Sequence, residues 1–282
     1  MGVRVGYLIA SLAIVSGVAG CASNPYSEPR AAWRGEVEAA CLASGEVRPS
    51  AFVQPMSPLG GRGSCGLEHP FKVSAALNGR VAVTPPAVIG CPMTASVDRW
   101  LARSVQPAAA AYFRSRVVEI REIASYGCRT RNNHGVAMSE HAFGNALDVA
   151  AFRLADGREI SVVRDWWRGG PAERAFLAAA FAGACAEFYT VLGPGSDPYH
   201  SNHFHLDLLR TNARNGRHFC QPTPYGGGGI AELPGGDACG SCGKDATLFC
   251  RHRSRNLLKQ RHLVVDCCCK NASQLQHSPL SY

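Results

Sequence analysis

Two short stretches hold residue types that could do chemistry together. Residues 139 to 148 read SEHAFGNALD, with His141 and Asp148 seven positions apart around Gly144, and residues 202 to 207 read NHFHLD. Imidazole nitrogens and a carboxylate oxygen suit a divalent ion such as zinc, and a set of two His and one Asp leaves a fourth position open. Thiolates in the same role would close the site. Written as an extended strand, HFHLDLL turns His203, His205 and Asp207 to one face and Phe204, Leu206 and Leu208 to the other. NALDVAAF alternates around Asp148 in the same way, and Gly144 permits a tight approach from the loop that carries His141. If the two strands are neighbours, His141, Asp148 and one imidazole of the pair converge on a common cleft.

The elements that must position these residues are readable in outline. TASVDRWLARSV predicts a helix capped by Thr94 or Ser96, with Trp100, Leu101 and Val105 facing inward. Pro107 ends or kinks that helix, and AAAAYFRSR can continue it. RVVEIREIASYGC has the β-branched content of a strand reaching Tyr126. PAERAFLAAAFAGACAEF is the clearest helix, with Pro171 near its first position and Phe176, Ala180, Ala184 and Phe188 on its apolar side. Strands follow at YTVLG and HFHLDLL. The fold class expected from this pattern is α+β, with helices packed on one side of a small, mainly antiparallel sheet.

The chain has 282 residues, 46% apolar and 18% charged, which describes a globular centre with ample chain for a core. A net charge of +8 is consistent with an anionic partner or simply with a solvated basic surface. No RRM-like aromatic pattern and no finger spacing with paired His is present, so nucleic acid finds no support. The first twenty residues, with Arg4 before an apolar run, read as a secretory signal, and VAGC at residues 18 to 21 resembles a bacterial lipobox with lipid on Cys21. Ala22 after that Cys favours the outer membrane over the inner one. Exported to the periplasm, the protein is expected to be tethered there through residues 21–30, a short spacer. The globular domain is expected over 31–222, and a Gly- and Cys-rich, disordered tail over 223–282. Six of the thirteen cysteines (Cys41, Cys65, Cys91, Cys128, Cys185 and Cys220) lie in the globular region, an even number that predicts three disulfides of open connectivity. In the tail, Cys239 and Cys242 with Cys250 offer only one spaced pair, which is weak support for a zinc knuckle or redox motif.

The motifs carry a resemblance. SEHAFGNALD resembles the Ser-x-His-x-x-Gly-x-Ala-x-Asp motif of the D-Ala-D-Ala metallopeptidases and vancomycin-resistance dipeptidases, and HFH resembles the His-x-His of penicillin-insensitive murein endopeptidases. The stretch from Cys41 to Cys220, with SYGCRTRN and VLGPGSDPYHSNHFHLDL, is similar to the bacterial extensin-like C-terminal domain. The resemblance implies a LAS/hedgehog-type metallopeptidase fold, zinc as cofactor, peptidoglycan as partner, and cleavage of a wall peptide or cross-link. It makes His141, Asp148 and His205 the metal ligands and His203 the general base. Arg129 would stabilise the oxyanion, and Ser139 would bond near His141 without acting as a nucleophile. The related dipeptidases use a Glu-x-x-His base, whereas position 202 is Asn. The base is therefore assigned to His203, with His200 a lesser candidate and Asp207 a residue that can orient a ligand. The alternative is an envelope lipoprotein of the same fold that binds the wall without cutting it.

Overall fold

The computed structural model describes residues 29–132, 134–210, 218–223, 246–253 and 264–271. The leader, Cys21 and the start of the spacer lie outside the described residues, as do Cys239 and Cys242. The chain divides into two units, Met1–Tyr225 and Gly226–Tyr282.

The first unit begins with α1 (Trp33–Ser44), followed by the strands β1 (Val53–Pro55), β2 (Leu59–Gly60), β3 (Gly66–Leu67), β4 (Phe71–Ala76) and β5 (Val81–Ile89). Then come α2 (Cys91–Trp100), a π-helical turn over Leu101–Val105, and α3 (Gln106–Phe113). The strands β6 (Val117–Ala124), β7 (Thr130–Arg131), β8 (His134–Met138), β9 (Ala146–Leu154) and β10 (Glu159–Ser161) follow. The unit closes with α4 (Val162–Arg168), α5 (Pro171–Glu187), β11 (Thr190–Leu192), β12 (Phe204–Asp207) and β13 (Phe219–Gln221). One sheet runs in the order β1-β4-β5-β6-β9-β12-β11-β13, with β10 also paired to β9. Among the described strands of this sheet, only β5 with β6 and β11 with β13 run parallel.

The α+β class and the mainly antiparallel pairing follow the sequence, but the sheet has nine strands and is not small. β11 is the strand expected at YTVLG, whereas β1, β10 and β13 are three residues long, too short for an alternating pattern to be recognised. The expected cap at Thr94 or Ser96 is also corrected. The helix starts at Cys91, with proline in its first turn, and the Thr94 hydroxyl donates back to the Gly90 carbonyl. Pro107 does not end the helical run, which passes without a break through the π turn into α3. β6 ends at Ala124, short of Tyr126.

Helices cover one face of the sheet. Trp100 of α2 meets Phe152 of β9 edge-on at 5.9 Å between ring centroids and donates its indole N–H to the Ala180 carbonyl of α5. Phe181 of α5 packs on Phe204 of β12 at 5.2 Å. The expected inward residues Trp100, Leu101, Val105, Phe176, Ala180, Ala184 and Phe188 are all buried. Three disulfides join Cys41 to Cys91, Cys65 to Cys128 and Cys185 to Cys220. The first ties α1 to the start of α2, and the second anchors the segment that leads into Arg129.

The second unit is described over β14 (Ala246–Arg253) and β15 (Val264–Asn271), which form an antiparallel pair. No helix among the described residues is long and apolar enough to cross a membrane.

Candidate metal centre

β9 and β12 are antiparallel neighbours, and their register sets the site. His205 pairs with Asp148 and Asp207 with Ala146 on one face, while Phe204 pairs with Val149 and Leu206 with Leu147 on the core face. His141 comes from a 3-10 turn, Glu140–Phe143, whose start is capped by Ser139 accepting from the His141 N–H. Gly144 ends the turn with φ +61°, and a Cβ there would lie 2.4 Å from the Leu67 side chain, so the close approach requires glycine.

Three ligand atoms meet. His141 Nε2 lies 3.2 Å from His205 Nδ1 and 3.2 Å from Asp148 Oδ1, and His205 Nδ1 lies 2.8 Å from the same oxygen. All three residues are buried. Their tautomers follow from their other contacts. His141 Nδ1 donates to the Ser125 carbonyl at 2.6 Å, which leaves a lone pair on Nε2. His205 lies between two carboxylates, Nε2 2.9 Å from Asp207 Oδ2 and Nδ1 2.8 Å from Asp148 Oδ1. With Nε2–H donated to Asp207, Nδ1 would join His141 Nε2 and the Asp148 oxygen in facing one point, an arrangement that calls for a proton or a cation among them. Tetrahedral ligands about 2.0–2.1 Å from one ion are roughly 3.3 Å apart, so the donor set fits a divalent metal. The Ser125 carbonyl and Asp207 carboxylate are the outer partners that such imidazole ligands require.

The electrostatics carry the same demand for positive charge. Burial would lower the His205 pKa, but hydrogen bonds to Asp148 and Asp207 push it up to about 10. Burial would raise the Asp148 carboxyl, yet the His141 and His205 hydrogen bonds outweigh it and hold the group well below the usual carboxylate range. Without a metal, a proton on His205 occupies the place a cation would take.

Two further imidazoles stand close by. His203 is buried, with Nε2 3.5 Å from Asp148 Oδ2 and Nδ1 donating to Asn202 Oδ1 at 2.7 Å. Burial, opposed by the Asp148 charge, lowers its pKa to about 4. His200 Nδ1 donates to Asp197 at 2.7 Å, and its ring lies 5.2 Å from the His203 ring and 5.4 Å from the His205 ring. A cleft of about 430 Å³ opens beside the triad, lined by Arg129, Arg131, His200 and His205 but not by His203. Arg129 therefore faces the cleft, its Nη1 bonded to Asn132 Oδ1 at 3.3 Å.

Several participants were not apparent in the sequence. Arg34 grips Glu140 through two bonds of 2.6 Å, Asn145 donates to the same carboxylate at 2.7 Å, and the guanidinium stacks over Phe143 at 3.8 Å. This clamp fixes the turn bearing His141 from a position 106 residues away in sequence, so no spacing signal exists. The pair Asp197 and His200, by contrast, is three residues apart in a short 3-10 turn and could have been read as a dyad. Glu122 on β6 is buried, and its Oε2 has no partner among the described residues. Burial first, then the charge of Asp148, raises its pKa to about 7.

No curated protein and no solved structure matches this chain. The family model for the extensin-like protein C-terminus matches residues 39–221, a span that contains the whole triad, His200, His203 and all three disulfides. With well over half of its length so matched, the chain belongs to the family of the extensin-like protein C-terminus.

Proposed function

We propose that this protein is a zinc-dependent peptidase of the LAS type, acting on the peptides of peptidoglycan from a lipid anchor at Cys21, in the periplasm and on the outer membrane. One observation carries the reading: the lone pairs of His141, His205 and Asp148 converge in a buried pocket beside an open cleft. Zinc in this N,N,O set supplies Lewis-acid polarisation of a carbonyl and an acidified water, because three protein ligands leave a position free.

The chain's own residues do the rest. Asp207 holds the His205 ring in the tautomer that presents Nδ1, and Ser125 does the same for the Nε2 of His141. His203 is neutral near pH 7, with Nδ1 committed to Asn202, so Nε2 is the nitrogen that accepts the proton of the attacking water. The same nitrogen then returns the proton to the leaving amine. Arg129 faces the cleft and receives the negative charge developing on the carbonyl oxygen. Ser139 caps the turn through its hydroxyl and is not a nucleophile. A second reading gives the proton transfer to His200, favoured by its place in the cleft and its Asp197 partner.

The test is digestion of purified muropeptides by the mature chain with and without a chelator, the products being read by mass. Metal-dependent new fragments support the peptidase. A fully metal-loaded protein that produces none leaves a wall-binding lipoprotein instead. His203→Ala should keep the metal and lower turnover by about 10²–10⁴-fold. If His200→Ala does so while His203→Ala remains active, the base is His200.

A further inference from the structure

The turn that carries His141 is held at one node. The Glu140 carboxylate accepts from both terminal nitrogens of Arg34, and its Oε2 also accepts from Asn145 Nδ2. The Asn145 N–H donates to the Glu140 carbonyl at 3.1 Å, and the Asn145 carbonyl accepts the Leu208 N–H at 3.2 Å. Leu208 directly follows Asp207, the partner of His205. Glu140 and Asn145 therefore join the His141 turn to the end of β12, the strand that bears His205.

α1 closes this node from outside. Near its carboxyl end it is tied to α2 by the Cys41–Cys91 bridge. At its other end Arg30 and Arg34 lie over the Phe143 ring of the turn, 5.6 and 3.8 Å from its centroid. The Arg34 and Glu140 side chains are only 9% and 2% exposed. A buried ion pair contributes little net stability, because desolvation offsets the attraction, and its better attested use is to select one geometry. Arg34 Nε has no hydrogen-bond partner among the described residues, so this pair is not fully satisfied even as a structural contact. Geometry is what a metal ligand needs, since its donor atom must stand within about 0.2 Å of the ideal distance from the ion.

We infer that Arg34 is a positioning residue of the metal centre, and that Arg34, Glu140 and Asn145 act as one unit setting where His141 Nε2 stands relative to His205 Nδ1. The inference rests on the metal-binding half of the proposed function and not on its peptidase half. α1 thereby governs metal affinity although it supplies no member of the triad.

The experiment reads the metal on the full chain. Zinc affinity is measured by competition with a chromophoric chelator, and ligand geometry by the visible absorption of the cobalt(II)-loaded protein. Outer partners of metal ligands are worth about 10–100-fold in affinity, and the clamp acts one bond further out, so Arg34→Gln should weaken zinc by about tenfold. The same variant should change the cobalt bands. Arg34→Lys keeps the charge and loses the fork, so it should restore part of both. Asn145→Ala should also weaken zinc, and combined with Arg34→Gln it should lose less than the product of the two single losses. Leu42→Ala, near the other end of α1 and packed on the core, controls for stability: it should lower the melting temperature and leave zinc affinity unchanged. Wild-type affinity with an unaltered cobalt spectrum in Arg34→Gln overturns the inference, as does an equal zinc loss in Leu42→Ala. Losses that simply multiply overturn the single unit. If Arg34→Gln does not fold, Asn145→Ala carries the test, and unchanged affinity there overturns it. An unaltered chain that binds neither zinc nor cobalt brings down the metal-centre reading itself, a result distinct from all of these.

Discussion

The two faces of the β9–β12 ladder share one backbone and nearly the same burial, yet they serve opposite ends. On one face Phe204, Leu206, Leu147 and Val149 are at most 1% exposed and lie in the main hydrophobic core. On the other, His205, Asp148 and Asp207 are 8%, 4% and 5% exposed and carry the polar atoms of the candidate metal centre. Apolar burial stabilises the fold by about 25 cal/mol per Å². Burying imidazoles and carboxylates costs free energy unless they are paired or a cation joins them. A single residue of register separates the two outcomes, so a slip of one position in β12 would exchange core for centre. The centre is therefore built at the expense of stability and supported by the face behind it.

That contrast can be broken from either side. The largest effect should come from His205→Ala, which removes a ligand: bound zinc should fall from one equivalent to none by elemental analysis, while the fold persists. A variant that keeps one equivalent removes His205 from the ligand set. Phe204→Ala, one residue away on the core face, should do the reverse. It should cost about 3–5 kcal/mol in denaturant unfolding, as large aromatic truncations do, while the folded fraction still binds zinc. Unaltered stability in that variant would mean that the core face is not what supports the ladder.

Glu122 sharpens the energetic side. Its carboxyl is raised from 4.5 to about 7, so between those pH values the folded protein holds a proton that the unfolded chain has lost. The Glu122 contribution to the stability of the metal-free protein should therefore decline as pH rises through that window, by up to about 3 kcal/mol, against an opposite slope from His203, which is lowered to about 4. Glu122→Gln should flatten the decline, and melting curves from pH 4 to pH 8 measure it; an unchanged slope would place the buried proton elsewhere. The smallest effect is expected at Asp207, which bonds to His205 Nε2 and stands outside the candidate triad. Asp207→Asn should weaken zinc by about 10–100-fold in competition with a chromophoric chelator, without abolishing binding. Complete loss would make Asp207 a ligand.

Much of the site was legible in the sequence because strand alternation has a period of two. HFHLDLL and NALDVAAF each announce which residues share a face, and β9 and β12 are neighbours in the register that joins them. Gly144 was legible as a turn residue for the same local reason. The helix over Pro171–Glu187 followed from its apolar spacing. The missed features depend on partners distant in sequence or on segments too short to show a period. The strands β1, β10 and β13, which enlarge the sheet, are of the second kind, and the Arg34–Glu140 clamp is of the first. Proline in the first turn of α2 moved the helix start ahead of the hydroxyl residues expected to cap it.

By itself, then, the sequence determined the types of candidate ligand, the faces they occupy and the even number of cysteines available for bridging, because these are properties of composition and local periodicity. Tertiary structure alone decided which cysteines pair. It also decided that His200, not His203, lines the cleft, and that Arg34 holds the turn bearing His141. Those outcomes are set by chain closure over tens of residues, where the geometry of packing, and no nearby sequence pattern, selects the partner.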